Sequence, residues 1–403
     1  MVSVVSCVKQ NNQRILSLLL DVPGSVPKNE LKEALLLSSE KGYIECTNSL
    51  IKAGADIDCQ NSSGETPLIL ATKENKPDII KALIEAKCDC YMTAKSGNAA
   101  IHIAAQKDLL QCFQILLDNG VDINTRDPGQ NTPLIISIIK KKYLILEEVL
   151  SRPDCDVNAT DCYGWTALHH AAHKATGVKQ LLKAGANPNV YNDSGNTPLM
   201  LAAIEGFSKV IHLLTKANCD VNMKDSSSAQ KTAMHIIALK GHSECIEDML
   251  EAGLDLNILD NEYRTPLWYA LHSGRFEAVE SLLKYTSHVA SFNCPAHAPE
   301  TSCPVKLAFL KGAKKVIKQF ILIGFDKDHI RYYIQNSDDV TADWTTVDQN
   351  DWFSFIQQPL TLLQISRIWI RHYLGRLFYL NVSKLPLPKS FQDFLLFSDF
   401  KNI

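Results

Sequence analysis

His169-His170-Ala171-Ala172-His173 is the one stretch in which imidazoles fall four residues apart, and on a helix that spacing sets two of them on a single face. Such a pair holds zinc in a metalloprotease when the residue after the first histidine is a glutamate serving as general base. Here that position is His170, so a metal-dependent hydrolase lacks its base, and His169 and His173 read as structural. Cys294, His297 and Cys303 offer two thiolates and an imidazole, but no fourth ligand is placed and the spacing matches no standard zinc site. Cys88-x-Cys90 has one intervening residue where a redox pair has two, and reads as packing. No glycine-rich phosphate loop follows a strand, and no grouping of Ser, His and acid stands out. The sequence therefore predicts no catalytic residue, no metal and no cofactor.

The elements that would position such residues follow from composition and periodicity. The 403 residues carry a net charge of −3 and are 46% hydrophobic, a soluble balance without a basic stripe, so no nucleic-acid partner is expected. Apolar runs such as 15–20 and 134–139 fall far short of the ~20 residues that cross a bilayer, so no membrane segment is expected. Residues 1–12 lack the long apolar core of a signal peptide, with Lys9 and Gln10 interrupting early. Without export, Asn61-Ser62-Ser63 and Asn158-Ala159-Thr160 are chance matches to the glycosylation pattern. The 12 cysteines stand mostly singly, as Cys46, Cys112 and Cys245 do, which points to a reducing compartment, the cytoplasm or the nucleus.

A short block recurs at Thr66-Pro67-Leu68, Thr132-Pro133-Leu134, Thr166-Ala167-Leu168-His169, Thr197-Pro198-Leu199, Thr232-Ala233-Met234-His235 and Thr265-Pro266-Leu267, with Ala99-Ala100-Ile101-His102 filling the gap. The steps are 33, 33, 34, 31, 35 and 33 residues. In each repeat the Thr caps a helix and Pro takes its first position, where a missing N–H costs nothing. Small pairs (Ala104-Ala105, Ala171-Ala172, Ala202-Ala203) follow where a neighbouring helix must come close. A second apolar stretch ends at Gly120, Gly185 or Gly253 in a left-handed closure, and a polar hairpin finger leads to the next repeat. The short step between Ala172 and Gly185 is expected to shorten the turn joining the two helices there.

These Thr-Pro-Leu-His, Ala-Ala, Leu-Leu and Gly-Ala-Asp blocks resemble ankyrin repeats. The implied fold is mainly α: a solenoid of paired antiparallel helices with β-hairpin loops, followed by a small helical module. Fainter copies extend it backwards, to Glu33-Ala34-Leu35, and forwards, to a degenerate last repeat at Cys303-Pro304-Val305, Gly312 and Ile323-Gly324-Phe325-Asp326. The expected organisation is an N-terminal cap at 1–30, an array of eight to nine repeats at 31–325, an acidic linker at 326–358 and a terminal module at 359–403.

In that module Thr361, Leu362, Ile365, Ser366, Trp369, Ile370, Tyr373, Leu374 and Leu377 fall at helical spacing, then Leu385-Pro386-Leu387-Pro388 forces an extended path. A chain of about forty residues is near the limit below which a core stands alone, so part of this apolar surface needs a partner. The segment resembles a SOCS box, which implies that Leu362, Ile365, Ser366 and Ile370 dock Elongin B/C. The family has Cys at the position of Ser366, whose added hydroxyl can bond the carbonyl four residues back. The same resemblance implies that Leu385, Pro386, Leu387 and Pro388 select cullin five with its RING partner.

Ankyrin arrays bind through fingertips and inner helices, so unusual residues there are the substrate-binding candidates: Tyr163 and Trp165 on one finger, Tyr263 and Arg264 on another. The alternative is core filling, for these aromatics and for Trp268 and Tyr269 beside them. The implied function is a non-catalytic, substrate-recognition adaptor of a ubiquitin ligase whose array holds an unidentified protein target. The other reading is a plain ankyrin scaffold or inhibitor whose terminal helices only cap the array.

Overall fold

The computed structural model of the chain describes residues 3–21, 26–285, 303–323, 325 and 389. The chain forms two compact units. The first comprises Met1–Asn187 with Tyr191–Asp193, and holds α1 (Val4–Lys9), α2 (Gln13–Leu20), α3 (Lys28–Lys41), α4 (Ile44–Lys52), α5 (Pro67–Lys73), α6 (Pro77–Glu85), α7 (Ala100–Lys107), α8 (Leu110–Asp118), α9 (Pro133–Lys140), α10 (Tyr143–Ser151), α11 (Ala167–Lys174) and α12 (Val178–Lys183). The second comprises Pro188–Val190 with Ser194–Ile403, and holds α13 (Pro198–Glu205), α14 (Ser208–Lys216), α15 (Ala233–Lys240), α16 (Ile246–Glu251, entered through a short 3-10 turn), α17 (Pro266–His272), α18 (Phe276–Tyr285), α19 (Pro304–Leu310) and α20 (Lys314–Leu322).

Within each unit the odd-numbered helices form an inner layer and the even-numbered ones an outer layer. In the first unit α1, α3, α5, α7, α9 and α11 stack in succession; in the second α13, α15, α17 and α19 do so. Short helices of this kind are marginal alone, and apolar burial against the next repeat stabilises them. Ala104, Ala105, Ala171, Ala172, Ala202 and Ala203 are fully buried, which lets inner helices approach closely. Thr66, Thr132, Thr166, Thr197 and Thr265 each accept the N–H three residues on, at 3.2–3.4 Å, so the capping inferred from the repeat is made five times over.

Among the described residues the fingers contain no extended strand, only single antiparallel bridges at Thr160–Thr166 and Lys224–Thr232. They are held as turns instead. A carboxylate or amide before the capping Thr accepts backbone N–H groups across the tip: Asn61 from Ser63 and Glu65, Asp161 from Tyr163 and Trp165, Asp225 from Ser227 and Lys231, Asp260 from Glu262 and Arg264, all at 2.8–3.2 Å. Among the described residues four pairs of neighbouring fingers are linked by one backbone bond each, as from Lys95 N–H to the Ser63 carbonyl and from Cys162 N–H to that of Gly129.

The short repeat differs from the expectation. Its inter-helix link is not shortened: Ala175, Thr176 and Gly177 separate α11 from α12, whereas only Gly206 and Phe207 separate α13 from α14. The missing residues come out of α12, which has six residues where α14 has nine. Gly177 explains the late start, since it adopts φ 75° and a β-carbon there would lie 2.6 Å from Ile138 Cδ1.

One or two residues after each inner helix the backbone turns left-handed. The second unit uses glycine there (Gly206, Gly241, Gly274, Gly312), whereas the first uses Gly42 after α3 but Asn11, Asn75, Asp108, Lys141 and Ala175 at φ 51–63° elsewhere. Asn75 Oδ1 is reached by Cys112 Sγ at 3.2 Å, and Asp108 Oδ1 accepts Ile145 N–H at 3.2 Å, so these two gain a tertiary bond. An alanine gains nothing of the kind. Ala175→Gly is expected to raise stability by roughly 0.5–1 kcal/mol, the left-handed penalty less glycine's extra unfolded-state entropy. Thr132→Ala is expected to lower it by about 1 kcal/mol. Urea melts of both variants measure the two signs.

Candidate functional site

The two fingers singled out by their aromatics share a construction that other repeats lack. Four residues beyond the capping Thr, where the inner helix presents Leu70, Ile103, Ile136, Leu201 and Ile236, these two repeats carry His170 and Tyr269. Each polar ring reaches the spare oxygen of its finger's aspartate: His170 Nε2 lies 2.8 Å from Asp161 Oδ2, and the Tyr269 hydroxyl donates to Asp260 Oδ2 at 2.8 Å. Both aspartates are buried. One carboxylate thus closes the turn with one oxygen and ties it to the inner helix with the other.

In the first unit this tie supports an aromatic surface. Tyr163 stands 69% exposed at the tip. Trp165 is half-buried along α11, 4.9 Å from the ring of His170 and edge-on to His173 at 5.8 Å. Tyr191, on the next finger of the same unit, is also exposed, and Asp193 N–H donates to the Tyr163 carbonyl at 3.1 Å. Burial pushes the His170 pKa below the usual histidine value against the pull of Asp161, so the ring faces Trp165 mainly uncharged. His169 is fully buried beneath Trp165, ring centroids 6.1 Å apart, and its Nδ1 accepts the Thr166 N–H at 3.1 Å. The histidines that suggested a zinc site therefore have separate structural partners. Of the other set, Cys303 is buried ahead of α19, and Cys294 and His297 lie outside the described residues.

In the second unit the finger is stiffer. Arg264 pairs with Asp260 at 3.3 Å and with Glu262, and its guanidinium lies over Trp268 (4.8 Å) and Tyr269 (5.5 Å). Trp268 in turn stacks on His272, ring centroids 4.6 Å apart and nearly parallel. Trp268 and Tyr269 are buried, so they fill core space as the bland reading holds, and Arg264 is largely covered. What the finger offers outward is Tyr263, 38% exposed at φ 59°. The equivalent positions are Gly64, Gly97, Gly164 and Gly195, or Gln130 and Gln230. A bulky residue held left-handed costs on the order of 1–3 kcal/mol, a local expense characteristic of sites shaped for contact.

Leu362, Ile365, Ser366, Ile370, Leu385, Pro386, Leu387 and Pro388 all lie outside the described residues. From the sequence Asp161 and Asp260 were not singled out, and His170 and His173 were weighed only against a zinc motif; all four hold or flank the exposed aromatics. The signal was available as a polar ring at a position that is otherwise aliphatic in the repeat.

Models of ankyrin repeats match residues 4–94, 35–127, 76–161, 134–225 and 217–293, overlapping through most of the chain. With the stacked helix pairs and capped fingers, they define an ankyrin-repeat protein. A SOCS-box model matches 358–396. The chain belongs to the ankyrin-repeat and SOCS-box family. It is 35% identical over 159 residues to neurogenic locus notch homolog protein 1 of Homo sapiens, a match covering 38% of this chain and 6% of that one. It is 30% identical over 172 residues to ankyrin repeat and SOCS box protein 3 of Bos taurus, covering 41% and 33%. It is 29% identical over 189 residues to the putative ankyrin repeat protein YahD of Escherichia coli, covering 45% and 94%. The chain thus spans 6% of the Notch relative and a third of the SOCS-box relative. Among the described residues no helix is long and apolar enough to cross a membrane.

His235 gives the second finger a pH dependence. Its Nδ1 accepts the Thr232 N–H and its Nε2–H donates to the Arg264 carbonyl, both at 3.1 Å, so the geometry is that of the neutral ring. Burial lowers its pKa to about 4. The unfolded chain then binds the proton first, and stability is full above about pH 6.5 and lost as pH falls towards 4, by about 3 kcal/mol at most. Thermal melts between pH 7 and pH 4.5 should show Tm falling, and His235→Gln should flatten the fall while lowering Tm at neutral pH.

Proposed function

We propose that this chain is the substrate-recognition subunit of a cullin-RING ubiquitin ligase, in which the ankyrin array holds a protein target and the SOCS box docks Elongin B/C and cullin five with its RING partner. The observation that carries the reading is the pairing, in one chain, of a repeat array with a SOCS-box match at 358–396. The SOCS-box relative supports it. On this reading the chain performs no bond chemistry. It raises the effective concentration of target lysines near a ubiquitin-loaded enzyme, as any linked pair of binding modules does.

Leu362 is the proposed anchor on Elongin B/C, with Ile365, Ser366 and Ile370 around it. Leu385, Pro386, Leu387 and Pro388 are the proposed cullin contacts. For the target, Tyr163 and Trp165 form the most exposed aromatic surface and Tyr263 offers a second contact. Arg264, whose guanidinium lies over the Trp268 and Tyr269 rings, is a candidate contact beside Tyr263 on the same finger. The compartment implied is the cytoplasm or nucleus.

Co-purification of the full chain with Elongin B/C tests the assignment. Wild type is expected to recover the pair and Leu362→Asp to lose it. Equal recovery by both, or none by either, overturns the reading. Trp165→Ala is expected to cost a few kcal/mol of target capture while Elongin recovery stays at the wild-type level, scored by ubiquitination of captured protein in cell extract.

A further inference from the structure

The fingertips leave unexplained a feature at the turn between α9 and α10 in the first unit. There α9 ends in Lys140, followed by Lys141 and Lys142, and α10 opens at once with Tyr143 and Leu144, which are 53% and 51% exposed. Other inner helices of this unit also end in lysine, and after the first, which ends in Lys9, those amines are engaged, beginning with Lys41 on Glu40 at 3.3 Å. Lys73 pairs with Glu65 at 2.8 Å, Lys107 donates to the Lys73 carbonyl at 2.7 Å, and Lys174 donates to the Ile139 carbonyl at 3.2 Å. The amines of Lys140, Lys141 and Lys142 make no hydrogen bond or ion pair among the described residues. Lys174, seated on Ile139, adds a further positive charge at the same helix end.

Two details keep this edge open. The repeat that follows has Gly177 where this one has Tyr143, and its second helix starts only at Val178 and runs six residues. No side chain from that position covers the Tyr143–Leu144 step. Lys141 itself sits left-handed at φ 55°, a conformation for which the second unit uses glycine. A lysine is kept there although it makes no contact that repays the strain.

We propose that the 140–144 edge is a second docking surface, for an acidic segment of a partner protein that carries an apolar anchor side chain. Three uncompensated ammonium groups beside two uncovered apolar residues are complementary to carboxylates flanking an aromatic or aliphatic residue. A broad anionic membrane fits less well. The positive charge is confined to one helix end, and Asp108 and the exposed Glu147 lie on either side along the chain's path, Asp108 bonded to the start of α10.

The test uses the full chain and a fluorescein-labelled synthetic peptide in which Asp and Glu flank a central Trp-Leu pair, read by anisotropy at low and high salt. Saturable binding is expected, weakened about tenfold or more by Lys140→Glu with Lys142→Glu, by Leu144→Ser and by high salt. Trp165→Ala should leave it unchanged, which separates this edge from the fingertip. Lys141→Gly should bind more weakly while melting no lower than wild type, so that lost affinity is not lost fold. Any of three results overturns the proposal: wild-type affinity in the charge-reversed variant, equal binding of the peptide with Asn and Gln in place of its acids, or lysine-dependent binding to phosphatidylserine–phosphatidylcholine vesicles without binding to the peptide.

Discussion

A pair of helices six to fourteen residues long cannot bury its own apolar face, and the protein is organised around that shortfall. Within each unit a pair is completed by its neighbouring pairs, through fully buried positions such as Ile80, Phe113, Leu116 and Leu181. Stability is then a sum of neighbour interfaces, and each repeat needs only a correct cap, a small-residue seam and a closure at its end. The Thr caps, the alanine pairs and the left-handed residue after each inner helix meet those needs one by one. Because the requirement is local, a repeat can depart from the pattern without unravelling the others, as the six-residue α12 does.

The same locality lets two repeats carry something extra. Every finger needs its backbone donors satisfied, and a single Asn or Asp suffices. At Asp161 and Asp260 the acid is given a second partner on the inner helix, so the fingertip cannot swing independently of the helix beneath it. A fixed tip loses less freedom when it meets a partner, and so keeps more of its contact energy as affinity. This is why the exposed aromatics of these two fingers stand out from Asn196 or Lys231 at equivalent tips. Their side chains are ordinary interface residues, and the buried carboxylate is what preorganises them.

The repeat was legible in the sequence because its determinants are residue identities at fixed spacing: Thr for the cap, Pro at the first helical position, Gly at the closure. The exposed positions Tyr163 and Tyr263 were legible for the same reason, as intrusions into a known frame. Other features depend on three-dimensional geometry. That Arg264 would lie flat over Trp268 and Tyr269 follows from side-chain directions on the inner helix, not from their order in the chain. The shortening of α12 was visible as a step of 31, but its placement in the helix rather than the turn is set by Gly177 meeting Ile138, a contact 39 residues distant. His170 was read only as the residue standing where a zinc motif needs its glutamate, whereas its hydrogen-bond partner is Asp161, on the finger that precedes the helix.

Strain is distributed in a way that separates scaffold from surface. Gly206, Gly241, Gly274 and Gly312 take the left-handed position at little steric cost, and Asn75 and Asp108 recover part of theirs through bonds to Cys112 and Ile145. The Lys141 amine makes no hydrogen bond or ion pair among the described residues, and Tyr263, also left-handed, is likewise exposed at the surface. In a fold whose stability is additive over neighbours, an uncompensated penalty of ~1–2 kcal/mol is tolerated if the interfaces on either side are sound. It is then the residue type, not the fold, that must account for its presence. An exposed phenol at a fingertip and an ammonium beside an exposed Tyr-Leu step are groups open to contact from outside the chain. Both places therefore mark surfaces whose sequence the stability of the isolated array does not explain.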